Sequence, residues 1–199
     1  VVPNGVPLNH FEANYAKRQG LLWLGRICEE KGPHLALDIA SRSGWPIVMA
    51  GQVYPFSYHR QFFAREIEPR LRRNPNARWI DSPSAPLKCE LLRSAAALLI
   101  TSLVDETSSL VAMEAAACGT PVIAFRRGAL PEVVKDGVTG FVVEGVSEAL
   151  KALERLHTIS PGECHANAFR YFTAGAMADG YERLYARLLS RHSRTLKIA

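Results

Sequence analysis

Short apolar runs alternate along this chain with longer segments in which apolar residues recur every three to four positions. The short runs predict six β-strands, at 21–24, 47–50, 77–80, 97–100, 121–125 and 140–143. The longer segments predict helices between the strands, at about 33–43, 57–73, 86–96, 109–118 and 146–157, and two more at about 161–169 and 174–191. Because most of the strands are apolar throughout, they indicate a parallel sheet that is covered on both faces. The predicted fold is α/β, a Rossmann-like doubly wound parallel sheet.

The length and composition fit a single globular domain. The chain has 199 residues, of which 48% are hydrophobic and 22% charged, enough for one substantial core. We therefore predict that residues 1–199 form one domain that ends in helices at about 161–191. In a doubly wound sheet, ligands bind beyond the carboxyl ends of the strands, so the residues that follow strands are the candidate binding residues.

The net charge of +5 favours an anionic partner. Basic residues concentrate in two places, Arg65, Arg70, Arg72 and Arg73 on one predicted helix and Arg187, Arg191, Arg194 and Lys197 near the end of the chain. Both groups are typical of solvated helix faces, and contact with anionic lipid headgroups is the alternative. Nucleic acid is not expected, because aromatic residues are not interleaved with these charges.

The spacing of cysteines and histidines predicts neither a disulfide framework nor a metal site. Cys28, Cys89, Cys118 and Cys164 lie far apart, and the six histidines have no metal-ligand spacing. No apolar run is long enough for a transmembrane helix, and we expect no leader before the first motif. We therefore expect a cytoplasmic protein, or one peripheral to a membrane, with no metal and no cofactor.

The segment from Glu106 to Glu114 carries the strongest chemical signal. Ser108 or Ser109 is predicted to cap a helix that begins with Leu110 and Val111. Free N–H groups at such a helix start bind anions. A carboxylate such as Glu114, further along the helix, accepts hydrogen bonds from vicinal hydroxyls. An anion beside a diol describes a nucleotide diphosphate attached to a sugar.

Several motifs accompany this segment in a fixed order over roughly residues 1–145. They are Pro3-Asn-Gly-Val6, Gly25-Arg26, Glu30-Lys31-Gly32, the Glu-x7-Glu spacing of Glu106 and Glu114, Ala117-Cys-Gly-Thr-Pro-Val122, Gly128, Pro131-Glu-Val-Val134, Asp136-Gly137 and Thr139-Gly140. The set resembles the C-terminal, donor-binding domain of retaining GT-B glycosyltransferases of the family 4 type. The resemblance implies transfer of a hexose from a nucleotide diphosphate sugar to an acceptor hydroxyl with retention, without an essential metal.

The resemblance also implies roles for individual residues. Arg26 and Lys31 would grip the diphosphate, Glu106 would lie at the transferred sugar, and Glu114 would hold the ribose hydroxyls. The remaining donor-binding residues would be Gly25, Ser108, Ser109, Leu110 and Val111. Where many members have Gly-Phe-Gly, this chain has Thr107-Ser108-Ser109, which is expected to reshape the sugar subsite.

A GT-B enzyme needs two facing domains, and this length holds one. The N-terminal acceptor-binding domain is therefore expected to be missing from this chain, which by itself would be inactive or weakly active. Two alternatives remain: a noncatalytic nucleotide-sugar-binding module, and a GT-B epimerase of nucleotide sugars.

Overall fold

The protein is built on one six-stranded parallel sheet. The computed structural model describes residues 1–16 and 20–195, with side chains as far as residue 190. The strands are β1 (Leu21–Leu24), β2 (Ile47–Ala50), β3 (Ala77–Ile80), β4 (Ala97–Ile100), β5 (Val122–Phe125) and β6 (Gly140–Val143). All neighbours pair in parallel, in the order β3-β2-β1-β4-β5-β6. The predicted doubly wound sheet is therefore confirmed, and its strand order reverses between β1 and β4, where such sheets open a binding crevice.

The helices follow the predicted pattern closely. They are α1 (Pro33–Ser43), α2 (Ser57–Phe62), α3 (Glu68–Arg73), α4 (Ala85–Ser94), α5 (Leu110–Ala117), α6 (Leu130–Val133), α7 (Val146–Glu154), α8 (Pro161–Tyr171) and α9 (Ala174–Thr195). A π-helical turn, Phe63–Ile67, joins α2 to α3. Pro69 lies just beyond this turn; since proline lacks an N–H and crowds the preceding turn, the wider π geometry accommodates it.

Alternate residues of each central strand face two separate apolar layers. Leu98 and Ile100 of β4 belong to the layer beneath α5 and α8. Their neighbour Leu99 belongs to the opposite layer, beneath α1 and α7. Burial on both faces explains why the strands read as continuous apolar runs. The sheet is therefore a rigid platform, and the loops at its carboxyl edge are fixed from both sides.

The last helix returns to the start of the chain. Val6 forms a β-bridge with Thr173, and the Gly5 N–H donates to the sulfur of Met177 on α9, at 3.2 Å. The helix continues to Thr195, beyond residue 192, from which fraying was predicted; residues 196–199 lie outside the described residues. In the described part of the chain, no helix combines the length and apolar character needed to cross a membrane.

Candidate functional site

A cleft of about 530 Å³ opens where the strand order reverses. Its walls come from the loop after β1, the loop after β4 and the first turns of α5. The predicted site residues that line it are Gly25, Arg26, Lys31, Glu106, Ser109, Leu110, Val111 and Glu114. Ser108 is the exception among the predicted site residues, since it lines a smaller cavity beside the N-terminal segment. The chain turns sharply at Ser109, so neighbouring serines face different sides of the loop.

The loop after β1 is held against the end of β4. Gly32 has a left-handed φ of 62°, and a Cβ at this position would overlap the carbonyl oxygen of Thr101. The Thr101 hydroxyl donates to the carbonyl of Gly32 at 2.7 Å and accepts from the indole N–H of Trp23 at 3.2 Å. This close approach fixes the position of Lys31, the residue before Gly32.

Lys31 and Glu106 form an ion pair inside the cleft. The Lys31 Nζ lies 2.6 Å from the Glu106 Oε1, and the Glu106 side chain is only 13% exposed. The Ser102 hydroxyl donates to the same carboxylate oxygen. Glu106 is thus held from two elements, one following β1 and one following β4.

The backbone of Glu106 is fixed by the segment that follows β5. The Glu106 carbonyl accepts from the Ala129 N–H at 2.7 Å, and Asp105 accepts from the Gly128 N–H at 2.9 Å. Gly128 has a φ of 53°, and a Cβ there would overlap the Glu106 backbone. In this structure the Asp105 carboxylate therefore holds the turn after β5.

Glu114 is paired with a residue that the sequence did not indicate. The Lys88 Nζ on α4 lies 2.7 Å from the Glu114 Oε1 and 5.5 Å from the centre of the Phe11 ring. The Glu114 side chain is 14% exposed, and Ala112 and Ala115 beside it are buried. Because a charge at such a site needs a partner, Lys88 explains how α5 tolerates this carboxylate.

The first turn of α5 points N–H groups at the cleft. Ser109 lies at the N-cap position, as predicted, but its hydroxyl does not cap the helix. The Ser109 φ of 66° and ψ of 71° are left-handed, whereas a serine that caps a helix is extended. The prediction that the Ser109 hydroxyl caps α5 is therefore wrong. Within residues 1–16 and 20–195, the N–H groups of Leu110 and Val111 have no recorded hydrogen-bond acceptor.

Arg26 extends from the loop after β1 and is exposed. Its guanidinium carbon lies 5.8 Å from the centre of the Tyr54 ring. It belongs to none of the ion pairs found among the described side chains. Arg26 therefore offers the cleft a guanidinium whose hydrogen-bonding capacity is not used by a carboxylate.

Sequence reasoning missed several residues that line the cleft, among them the polar side chains of Lys88, Thr101 and Ser102. Thr101 and Ser102 directly follow β4, so the rule that ligands bind at the carboxyl ends of strands points to them. Lys88 carries no such signal, because its approach to Glu114 depends on how α4 packs beside α5.

The basic cluster on the π turn and α3 is largely neutralised by ion pairs. Arg70 pairs with Asp38 at 2.8 Å and with Glu66 at 2.9 Å, while Arg65 and Arg72 pair with neighbouring glutamates. Of the second cluster, Arg187 is exposed, and the side chains of Arg191, Arg194 and Lys197 lie outside the described residues. Membrane contact therefore stays a prediction.

Comparison with known proteins identifies the family. The family of glycosyl transferases group 1 matches residues 9–166. The chain belongs to this family. The predicted family is thus confirmed. The match extends from the turn before β1 into α8, so it includes every element that lines the cleft.

Curated relatives of this group 1 chain are longer proteins. It is 31% identical to the D-inositol 3-phosphate glycosyltransferase of Geodermatophilus obscurus, over 86% of this chain and 44% of that protein. It is 37% identical to the enzyme of the same name from Corynebacterium aurimucosum, over 55% of this chain and 28% of that protein. The chain therefore spans less than half the length of these relatives.

Solved glycosyltransferase structures share the fold. AviGT4, a glycosyltransferase involved in avilamycin A biosynthesis, superposes with a TM-score of 0.78 at 27% identity, over 96% of this chain and 58% of that one. Anabaena Alr3699/HepE in complex with UDP and glucose gives a TM-score of 0.75 at 17% identity, over 92% and 55%. These similarities support the assignment of this group 1 chain to one half of a GT-B fold.

Proposed function

We propose that this chain is the donor-binding half of a retaining glycosyltransferase that moves a hexose from a nucleotide diphosphate sugar to an acceptor hydroxyl. One observation carries the proposal. Three cations, two carboxylates and the start of α5 converge in a single cleft at the point where the strand order reverses. A diphosphate needs the cations and the helix start, and a ribose and a hexose need the carboxylates.

Arg26, Lys31 and the N–H groups of Leu110 and Val111 form the diphosphate site in this proposal. The guanidinium fork and the ammonium donate charge-assisted hydrogen bonds to phosphate oxygens. The helix start adds the field of its dipole. As the bond to the sugar breaks, negative charge grows on the departing diphosphate. These groups therefore stabilise the transition state more strongly than they stabilise the bound donor. This difference lowers the barrier to transfer.

Glu114 is proposed to hold the ribose. Its recorded hydrogen bond uses Oε1, which accepts from Lys88. The second oxygen, Oε2, provides acceptor capacity for a ribose hydroxyl, while the hydrogen bond from Lys88 orients the carboxylate. In this arrangement Glu114 binds and positions the nucleotide without transferring a proton.

Glu106 and the diphosphate are proposed to compete for Lys31. In the structure, the Lys31 ammonium is bound to Glu106 Oε1. A phosphate bound beside α5 would accept hydrogen bonds from the Lys31 ammonium and so weaken its bond to Glu106. The carboxylate, still held by Ser102, would then be available to hydroxyls of the transferred sugar. Donor binding and the orientation of Glu106 are coupled through one lysine.

The comparisons support sugar transfer without defining this chain's substrates. The curated relatives are named D-inositol 3-phosphate glycosyltransferases, and HepE was solved with UDP and glucose. The acceptor would be bound by an N-terminal domain that is not part of this chain. No metal ion and no cofactor take part in the proposed transfer.

The direct test is a calorimetric titration of the chain with UDP, GDP and ADP. At least one of them should bind with a dissociation constant below the millimolar range. If none of the three binds at millimolar concentration, the donor site is not where we place it.

A second test joins the chain to its native upstream sequence and measures sugar transfer. The anomeric configuration of the product, read by NMR, should match that of the donor sugar. Inversion would contradict retention, and conversion of the donor sugar without transfer would indicate an epimerase.

A further inference from the structure

A second cluster of reactive side chains lies beside the loop that follows β1. The Cys28 Sγ, a carboxylate oxygen of Glu30 and a ring nitrogen of His59 lie within 4.8 Å of one another. Cys28 and Glu30 come from that loop, and His59 comes from α2. None of the three lines the cleft described above. The chemistry of this cluster is therefore separate from donor binding.

Two members of the cluster are deeply buried. Cys28 is 1% exposed and His59 is 3% exposed. The Nδ1 of His59 is buried and has no hydrogen-bond partner among the described residues. Buried polar atoms are rarely left unsatisfied, and each such exception calls for a ligand, an ion or a special role. A buried imidazole that has an unsatisfied ring nitrogen and lies close to a thiol and a carboxylate is an arrangement expected where a metal ion binds.

The surroundings of His59 restrict access of water. The imidazole ring packs against Tyr58 at 4.1 Å between ring centres, and against Phe56 at 5.7 Å and Tyr54 at 6.0 Å. An apolar shell of this kind strengthens metal–ligand bonds by excluding competing solvent. A thiol binds zinc as the thiolate, so zinc binding to Cys28 would release the thiol proton to solvent.

We propose that Cys28, Glu30 and His59 bind a zinc ion, with water as the fourth ligand. A thiolate and an imidazole together select a borderline-soft metal such as Zn²⁺ over Mg²⁺ or Ca²⁺, which prefer oxygen. Tetrahedral zinc bonds of about 2.0–2.3 Å place ligand atoms about 3.6 Å apart. The three ligand atoms lie within 4.8 Å of one another, so zinc binding would draw them closer together.

The order of residues along the chain did not indicate this site. The cysteine and the histidine belong to different elements, and they meet only because α2 packs beside the loop after β1. The zinc ion would tie the segment that carries Arg26 and Lys31 to α2.

Zinc binding is measured by competition with a chromophoric chelator, and cobalt is used as a spectroscopic probe. The purified chain should bind one Zn²⁺, and Co²⁺ should give a sulfur-to-cobalt charge-transfer band. The Cys28→Ser and His59→Asn variants should bind zinc more weakly by more than about 100-fold, beyond the usual effect of losing an outer-shell partner. The band should vanish in Cys28→Ser.

Matched controls are Cys89→Ser and His157→Asn, which remove the same groups elsewhere and should leave zinc affinity unchanged. Glu30→Gln changes an exposed side chain, so it should fold and still weaken binding by about 10-fold. If circular dichroism shows that Cys28→Ser and His59→Asn do not fold, Glu30→Gln decides whether the cluster binds zinc. Equal zinc affinity in Glu30→Gln and the unmodified chain, or no binding at all, would overturn the proposal and leave adventitious metal only.

Discussion

At the scale of single residues, Ser109 stands in a conformation that suits glycine. Its φ of 66° is left-handed, at the position where many relatives were expected to have the second glycine of Gly-Phe-Gly. For a residue with a Cβ, this backbone conformation costs roughly 1–2 kcal/mol of folding free energy. The strain lies at the entrance to α5, directly beside the proposed diphosphate site, where strained backbone is often found.

Replacing Ser109 with glycine should stabilise the chain. The strain energy that glycine relieves is larger than the entropic cost that it adds to folding. The free energy of unfolding of Ser109→Gly should therefore be about 0.5–1 kcal/mol higher than that of the unmodified chain. Ser109→Ala keeps the Cβ and should lack this gain. Urea unfolding of the three proteins checks this, and equal stabilities for the glycine and alanine variants would show that Ser109 is unstrained.

Glu106→Gln should tighten the binding of UDP. The amide keeps the shape and the hydrogen bond from Ser102, but it removes the carboxylate that competes with phosphate for Lys31. We expect affinity to rise by several-fold and sugar transfer to fall. Glu154→Gln, on an exposed helix end, is the charge-matched control. Weaker binding of UDP by Glu106→Gln would contradict the proposed competition.

His34 should make the stability of the chain depend on pH. Burial, and then the charge of Arg70, lower the pKa of His34 in the folded state. The facing carboxylates of Asp38 and Glu66 oppose the shift without reversing it. Below the unfolded pKa of about 6.5 the unfolded chain binds the extra proton, so stability falls as pH falls, by at most about 1.4 kcal/mol per pH unit.

The measurement for His34 is urea unfolding at pH values between 7 and 5. His34→Leu should lose less stability over this interval than the unmodified chain. His10→Leu, at an exposed position, should not alter the slope. Identical slopes for His34→Leu and the unmodified chain would mean that His34 titrates alike in both states.

The sequence indicated most of the cleft residues but not their partners. Arg26, Lys31 and Glu106 lie in loops that follow strands, and Glu114 lies within the helix after β4, so a doubly wound sheet dictates where they lie. The pairing of Glu114 with Lys88 depends on side-chain packing between α4 and α5, which has no signature in residue order. Left-handed backbone at Ser109 was equally hidden, because serine normally caps a helix in extended conformation.

At the scale of elements, periodicity predicted the strands and the longer helices to within a few residues, but it did not predict α6. Strands buried on both faces and helices with one apolar face leave clear patterns. The π turn before Pro69 was not predicted, because the helical periodicity continues through it. Helix ends shifted by a few residues where caps and 3₁₀ turns, such as Leu156–Thr158, decide the boundary.

An ion pair between α1 and α3 should contribute a measurable coupling free energy to stability. Arg70 contacts Asp38 through Nε at 2.8 Å and through a second nitrogen at 3.3 Å. Because both side chains are about a third exposed, a double-mutant cycle of Asp38→Ala and Arg70→Ala should give a coupling of only about 0.5–1 kcal/mol.

The pair of Arg72 and Glu68 provides the comparison for this cycle. It is longer, at 3.4 Å, and its side chains are 74% and 44% exposed. Its coupling free energy should be close to zero. If the two pairs couple equally, the bidentate geometry between α1 and α3 contributes nothing beyond a surface ion pair.

At the scale of the whole molecule, the order of the strands and the family assignment both indicate the cleft as the functional site. The predicted acceptor domain stays a prediction, since the chain spans less than half of its curated relatives. The later part of α9 is consistent with such a partner. Its Tyr181, Tyr185 and Leu188 are exposed by 38%, 58% and 52%.

The central claim is that Arg26 and Lys31 bind a diphosphate in this cleft. Its most direct measurement is calorimetric titration of UDP and of uridine into the unmodified chain, Arg26→Ala, Lys31→Ala and the control Lys151→Ala. Loss of a charge-assisted hydrogen bond, about 1.5–3 kcal/mol, should weaken UDP binding by about 10- to 100-fold in the first two variants. Uridine binding should not change, and Lys151→Ala should behave like the unmodified chain. Equal losses for UDP and uridine, or unchanged UDP binding in Lys31→Ala, would contradict the account.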